Sequence, residues 1–314
     1  MNELQFESEL IQYLCSGTIS NPADTTTPAW GTVKEKPVDY VVKSKLWKYE
    51  PGIKTTDQLW DNFKAILEQH NQDTLEHPLS VVEFNQVKRI ISDLETPYKA
   101  GQFLYGLNGV SQIEIDLDDG RHVFLTVFDQ KQIGAGDTVY QVVNQIERPA
   151  KINGKENRRF DTTLLINGLP VIQIEEKRDT HDVNEALNQM HQYIDEGQYR
   201  DIFSTLQILV GISPNNVKYM ANTTSEAFNK DFAFNWQRKS DNGIVRNWKE
   251  FADSMLSIPM AHQMATNYMI LDGTKNKETL KVMRPYQVYA TQNVINGLRQ
   301  VDFDLGTNKV GYIW

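Results

Sequence analysis

The chain has a single cysteine, Cys15, in 314 residues. It can therefore build no intrachain disulfide and no multi-cysteine metal site. A lone cysteine fits a reducing cytoplasm. Long apolar runs are also lacking. The most apolar stretch, Leu206 to Ile212, is interrupted by Gln207 and falls far short of the roughly 20 residues a membrane span needs. The start, MNELQFESEL, carries acids where a secretory signal needs a basic and then an apolar segment. Basic charge is in deficit: 32 Lys and Arg face 41 Asp and Glu, a net charge of −9. That argues against a protein that grips nucleic acid by bulk electrostatics alone, and against a basic membrane-surface binder. The deficit is local. Residues 1–150 carry 13 basic against 22 acidic side chains, and residues 151–314 carry 19 of each.

Several metal and nucleotide patterns are missing as well. None of the six histidines forms H-E-x-x-H, the helical spacing of a zinc site. Asp116, Asp118, Asp119 and Gly120 fail the glycine spacing of a calcium loop and read as a hairpin turn. Gly134-Ala135-Gly136 lacks the third glycine of a dinucleotide fingerprint and reads as a loop. There is no internal repeat and no low-complexity tract.

What remains is 40% apolar content, ample for a buried core, in a length that suggests about two domains. Residues 3–14 pattern as an amphipathic helix with Phe6, Leu10, Ile11 and Leu14 on one stripe. Residues 15–58 are turn-rich, and Trp60–Gln69 and Val82–Leu94 look helical. From residue 104 the pattern changes to strands. Gln112–Leu117 and Val123–Phe128 flank the Asp118–Gly120 turn, and Tyr140–Ile146 is a further strand. Two strands surround Asn167-Gly168, a helix spans about 182–196, and strands follow at 206–212 and 217–221. Phe251–Leu256 and 286–299 read as helices, 272–280 as a polar linker, and Lys309–Trp314 as a last strand. This alternation predicts an α/β core.

The informative stretch runs from Asp161 to Lys177. Strand alternation sends Val171, Gln173, Glu175 and Lys177 to one face and Ile172, Ile174 and Glu176 to the other. The partner of Asp161 depends on the turn. A regular two-residue Asn-Gly turn pairs residue 161 with 174, on the wrong face. A three-residue or bulged connection pairs it with 175, and Pro170, easiest to place at a strand start, favours that alternative. Two carboxylates and an ammonium on one surface suit a hard divalent cation such as Mg²⁺. Asp182 with Glu185 suggests a capping box for the next helix. On that helix Gln189 and Tyr193 stand four apart and project together. Just ahead of Asp161, Lys151, Lys155, Arg158 and Arg159 oppose only Glu156, a local +3 that suits phosphate.

FDTTLLINGLPVIQIEEKRD followed by NQMHQY resembles the nuclease domain of the restriction (motor) subunit of Type I restriction–modification enzymes, within the PD-(D/E)xK nuclease superfamily. ESELIQYL, NVKYMANT, FNWQ, NWKEFADSML and MRPYQVYATQNVI look like the same family. The resemblance implies a central mixed β-sheet flanked by helices and a metal-dependent endonuclease on double-stranded DNA. Asp161, Glu175 and Lys177 match the catalytic triplet, with Asp161 and Glu175 holding Mg²⁺. Gln189 and Tyr193 match an accessory DNA-positioning motif, with Lys155, Arg158 and Arg159 as further candidates. Glu7 or Glu9 matches an acidic N-terminal helix that flanks such sites. Gln192 stands where members of the family it resembles often carry a basic residue. The resemblance also implies methyltransferase and specificity subunits as partners, a bacterial or archaeal cytoplasm, and no membrane.

It further implies an endonuclease domain over 1–260, acidic in 1–150 and with its catalytic core at about 104–221. Residues 261–314 would be a linker and the beginning of a RecA-like, ATP-dependent motor, where Gln287 resembles an adenine-reading glutamine. No G-x-x-x-x-G-K-[ST] loop is present. Gly306 and Gly311 have the glycine spacing, but Tyr312 and Ile313 stand where Lys and Ser/Thr are required. The chain is expected to hydrolyse no ATP by itself, ATP being a cofactor of the longer protein only. The alternative is a catalytically silent module that guides DNA or docks subunits.

Overall fold

The structure is a computed structural model that describes residues 2–16, 47–299 and 301. Helix α1 (Glu3–Ser16) buries Phe6, Leu10, Ile11 and Leu14, the stripe its spacing predicts. The turn-rich segment 15–58 lies largely outside the described residues. Its described end forms β1 (Lys48–Tyr49), the Pro51-Gly52 turn and the start of α2 (Thr56–His70). Helices α2 and α3 (Val81–Ser92) start at reciprocal caps, Thr55 with Gln58 and Ser80 with Glu83, which satisfy first-turn donors that would otherwise be orphaned. Helix α4 (Pro97–Tyr105) was not expected from the sequence. It is short, opens on a proline and contains Gly101, so its periodic signal is weak, but Ala100 and Leu104 are buried.

Strands β2 (Val110–Asp116) and β3 (His122–Asp129) form the expected antiparallel hairpin. Then follow β4 (Tyr140–Arg148), β5 (Arg158–Ile166), β6 (Leu169–Glu176), α5 (Val183–Asp195), β7 (Ile208–Ser213) and β8 (Asn216–Ala221). The central sheet has the order β1-β4-β5-β6-β7-β8. It is mixed: β1/β4 and β6/β7 run parallel, and the other pairs antiparallel. Every residue of β6 is buried, as befits a central strand covered on both faces. Helix α1 lies against β5 and β6, and α5 against β6, β7 and β8. Gly211 of β7 allows α5 to come close, since a Cβ there would lie 3.1 Å from the Val183 carbonyl oxygen.

The last elements are α6 (Trp248–Ser254), α7 (Met260–Ala265), β9 (Met269–Asp272), β10 (Thr279–Val282) and α8 (Pro285–Arg299). The segment 272–280 is therefore not a linker. It is the loop and flanks of the β9–β10 hairpin, which packs on α4 and β8, and its polar composition belongs to the exposed loop. Met264, Tyr268, Leu280, Val282 and Val288 share one hydrophobic core with the central sheet, so packing continues across residue 260. Lys309–Trp314 and Gly306–Gly311 lie outside the described residues. No described helix is long and apolar enough to cross a membrane.

Candidate active site

The β5–β6 hairpin sets the site. Its connection is a two-residue turn, Asn167-Gly168, with φ of 49° and 80°. Ile166 pairs with Leu169 and Leu165 with Pro170, but Leu164 pairs with Ile172. Val171 is the extra residue of a β-bulge. The bulge restores the register the site needs: Thr162 faces Ile174, and one step further Asp161 stands opposite Glu175. Of the two expected connections, the bulged one is realised, and Pro170 sits within it. The turn is pinned from outside. The Asn167 side chain accepts from Val139 N at 2.9 Å and donates to the Val127 carbonyl at 2.7 Å.

Past the end of β6, Lys177 N donates to the Ile212 carbonyl at 2.8 Å, which continues the pairing with β7 and fixes the lysine backbone. Its ammonium lies 3.6 Å from Glu175 Oε1 and donates to Gln189 Oε1 at 2.8 Å. Gln189 Nε2 donates to the Tyr193 hydroxyl at 2.5 Å. The tyrosine is 2% exposed and packs on Phe160, with ring centroids 5.0 Å apart. Tyr193 is thus a core residue with a polar tip on Gln189. Asp182 caps α5 by accepting from Asn184 N at 2.9 Å. The reciprocal half of the expected capping box is absent, because Glu185 pairs with His181 at 2.6 Å instead.

The face of β6 that carries Glu176 meets α1. One carboxylate oxygen each of Glu7, Asp161 and Glu176 lie within 4.8 Å of one another, and Asp161 Oδ2 accepts from Glu176 N at 3.1 Å. Glu7 accepts short hydrogen bonds from the side-chain amides of Asn144 and Gln145. The Asn144 oxygen is itself held by Lys54 Nζ at 2.5 Å and Tyr49 OH at 2.9 Å. Gln145, opposite Asp161 in the β4–β5 register, takes a left-handed φ of 56°. A non-glycine residue in that region within a strand is strained, and such strain concentrates at functional sites.

The carboxylates thus fall on two faces of β6, Glu175 beside the Lys177 ammonium on one and Glu176 grouped with Glu7 and Asp161 on the other. Glu175 is fully buried and Glu176 is 1% exposed. None of their four carboxylate oxygens has a hydrogen-bond partner. Burial pushes both carboxyl groups well above the ordinary glutamate range, Asp161 adds to the push, and Lys177 opposes it at Glu175. Burial also raises Glu7, against the pull of the Asn144 and Gln145 amides. Lys54 is lowered by burial, with Glu7 opposing. An oxygen-only donor set of this kind, short of positive charge, suits a hard divalent cation.

The structure therefore brings Glu7, Asp161, Glu175, Lys177, Gln189 and Tyr193 together. Glu9 is exposed and stands apart from the cluster. Arg158 grips Glu196 with two nitrogens, at 2.7 and 2.5 Å, and Lys155 stands 3.8 Å from the same carboxylate. Gln192 donates to it as well, at 3.0 Å. Lys151 pairs with Asp201 at 2.8 Å. Arg159 is exposed, with no acidic partner among the described residues. Gln287 Oε1 accepts from Arg284 N at 2.9 Å and lines a separate cavity of about 500 Å³ with Phe234, Leu280, Val282 and Arg284. Sequence reasoning missed Glu176, Asn144, Gln145 and Lys54. The available signal was Asn144-Gln145, a polar pair inside an otherwise apolar strand pattern.

Residues 31–228 match the family described as Type I restriction enzyme R protein N terminus. A Type I restriction enzyme endonuclease subunit of Staphylococcus aureus (strain MSSA476) is 32% identical over 263 residues, which is 83% of this chain and 26% of that protein. One from Staphylococcus saprophyticus is 31% identical over the same shares. The Escherichia coli EcoprrI endonuclease subunit is 35% identical over 181 residues, covering 57% of this chain and 55% of that protein. The chain spans about a quarter of the length of the staphylococcal relatives and just over half of the Escherichia coli one.

Proposed function

The chain belongs to the family of the Type I restriction enzyme R protein N terminus, and from that premise we propose that it is the metal-dependent DNA endonuclease part of such a subunit, with a PD-(D/E)xK nuclease core. The observation that carries this reading is the meeting of Asp161, Glu175 and Lys177 across a bulged hairpin, with the Glu175 oxygens buried, without a hydrogen bond and faced only by the Lys177 ammonium at 3.6 Å. A buried carboxylate with no donor is costly unless a cation or a proton neutralises it.

Asp161 and Glu175 would hold Mg²⁺, which supplies Lewis-acid polarisation of the scissile phosphate and acidification of a bound water. Lys177 presents its ammonium to the phosphoryl group and stabilises the charge that develops there. Gln189 holds Lys177 in place and Tyr193 holds Gln189, so this pair acts as positioning residues. The reaction is hydrolysis of a DNA phosphodiester. A water oxygen bonds to phosphorus, the bond from phosphorus to the leaving sugar oxygen breaks, and a proton passes to that oxygen. In the longer protein, ATP-driven translocation would feed DNA to this site, methyltransferase and specificity subunits would anchor the complex, and Gln287 would read adenine at the start of the RecA-like motor.

The test is Mg²⁺-dependent cleavage of plasmid DNA by the complete assembled enzyme carrying Glu175→Ala or Lys177→Ala. Loss of cleavage with normal assembly is the expected result. Unchanged cleavage in both variants overturns the reading.

A further inference from the structure

Successive residues of a regular strand point to opposite faces of the sheet. Asn144 and Gln145 are neighbours in β4, yet both side-chain amides donate to one carboxylate, that of buried Glu7 on α1. The backbone is bent to allow it. Gln145 takes a φ of 56°, and the β4–β5 pairing passes from Asn144 with Thr162 to Ile146 with Phe160, stepping over Gln145 and Asp161. Strain of this kind persists only where the surroundings impose it. Here it aims two amides at one carboxylate.

Lys54 fixes which way the first amide faces. An asparagine side chain can present its oxygen or its nitrogen, and only the nitrogen suits a carboxylate. The Asn144 oxygen is taken by two donors, the Tyr49 hydroxyl at 2.9 Å and the Lys54 ammonium at 2.5 Å. The same ammonium donates to the Asn144 carbonyl at 2.8 Å. Lys54 is itself tied to β4, because its carbonyl accepts from Glu147 N at 2.8 Å. Without the ammonium, the Asn144 oxygen loses its charged donor and can turn toward Glu7, which repels the carboxylate from its place beside Asp161.

We propose that Lys54 is a positioning residue of the nuclease reaction: it locks the Asn144 amide, and so holds the Glu7 carboxylate against Asp161 at the edge of the active site. The inference rests on the proposed function. Two readouts test it. The first needs no DNA and no cation. In nuclear magnetic resonance of the 314-residue chain, the Asn144 side-chain amide is expected to exchange slowly with water. Lys54→Met is expected to speed that exchange roughly 10-fold or more, and Lys54→Arg, which keeps a charged donor, to restore protection. The second readout is cleavage of plasmid DNA by the complete assembled enzyme in Mg²⁺. Lys54→Met is expected to lower kcat about 10–100-fold with little change in KM for DNA. Lys54→Arg should recover most of the rate, and exposed Lys48→Met should match the wild type. In a Glu7→Gln enzyme, Lys54→Met is expected to cost nothing further, because the two act as one unit. If Lys54→Met fails to melt cooperatively, Tyr49→Phe removes the other donor to the same oxygen and is read in its place.

An Asn144 amide as protected in Lys54→Met as in the wild type overturns the lock. A fully multiplicative loss in the Glu7→Gln enzyme, or a loss confined to KM, overturns the route through Glu7. Normal cleavage by Lys54→Met, in an enzyme that Glu175→Ala inactivates, overturns the inference and leaves the proposed function standing. Normal cleavage by Glu175→Ala and Lys177→Ala overturns the proposed function, and the role of Lys54 in the reaction falls with it.

Discussion

The Lys177 ammonium donates to Gln189 Oε1 at 2.8 Å, and that glutamine's amide goes on to the Tyr193 hydroxyl at 2.5 Å. The two residues of the Gln-x-x-x-Tyr spacing thus form one line behind the lysine, anchored in the core at Phe160. Gln189→Ala removes a hydrogen bond to a charged group, worth roughly 1.5–3 kcal/mol. Cleavage by the complete enzyme is expected to fall about 10–100-fold while the melting temperature changes little. Tyr193→Phe keeps the ring packing and is expected to cost less. A rate loss matched by an equal loss of fold would assign both residues to stability alone.

Gly168 takes φ of 80° in the turn, and a Cβ there would lie 2.8 Å from Phe63 Cα. Gly168→Ala combines backbone strain with a backbone clash, each costing on the order of 1–3 kcal/mol. Thermal melting is expected to show a clear drop, with cation binding weakened because the turn and the bulge set the Asp161–Glu175 register.

The cluster predicts a pH-dependent response to cations. Burial raises the carboxyl groups of Glu175 and Glu176 above their ordinary value of 4.5. A group raised in the folded state contributes stability that is fully present below its ordinary value and lost as pH rises through the raised one. The cation-free chain therefore loses stability from these groups as pH climbs above the ordinary carboxylate range. Divalent cations bind the ionised forms and release protons. The gain in melting temperature on adding Mg²⁺ is expected to grow with pH over that window. A gain independent of pH would contradict it.

His262 sets a limit on the acid side. Burial lowers it from 6.5 to about 4, and the Tyr140 hydroxyl lies 2.9 Å from its Nδ1. A lowered histidine favours the fold above its ordinary value, and that contribution is lost as pH falls from 6.5 toward 4. At about 1.4 kcal/mol per unit, the loss is roughly 3 kcal/mol. Chemical denaturation across this range in wild type and His262→Gln is expected to show the loss in the wild type only.

The net charge of −9 and the internal pairing of Lys151 and Arg158 predict weak DNA binding by this chain alone, with a shallow dependence of affinity on salt. The two adjacent arginines should separate. Arg158→Ala leaves Glu196 buried and short of its bidentate partner, at a cost of about 3 kcal/mol. Arg159→Ala is expected to leave stability unchanged and to reduce DNA retention. Tight, steeply salt-dependent binding by the isolated chain would contradict this.

The sequence determined a good deal by itself. Helical and strand periods place α1, α2, α3, α5 and most strands, because buried stripes leave a regular mark. Alternation along β6 put Glu175 with Lys177 and Glu176 opposite, and the side chains lie that way. Pro170 hinted at an irregular hairpin. The hairpin at 269–282 was not legible, because its loop is longer and more polar than its strands.

Tertiary structure decided the rest, because no local pattern records it. Whether Glu7 or Glu9 faces the site depends on how α1 is rotated against β5 and β6, which packing of Phe6 and Leu10 settles in favour of Glu7. Whether Asn167-Gly168 brings Asp161 to Glu175 depends on a one-residue bulge two pairs away from the turn. The grouping of Glu7 with Asn144 and Glu176 joins α1 to strands more than 100 residues further along the chain. It exists only once the sheet is assembled and both faces of β6 are covered.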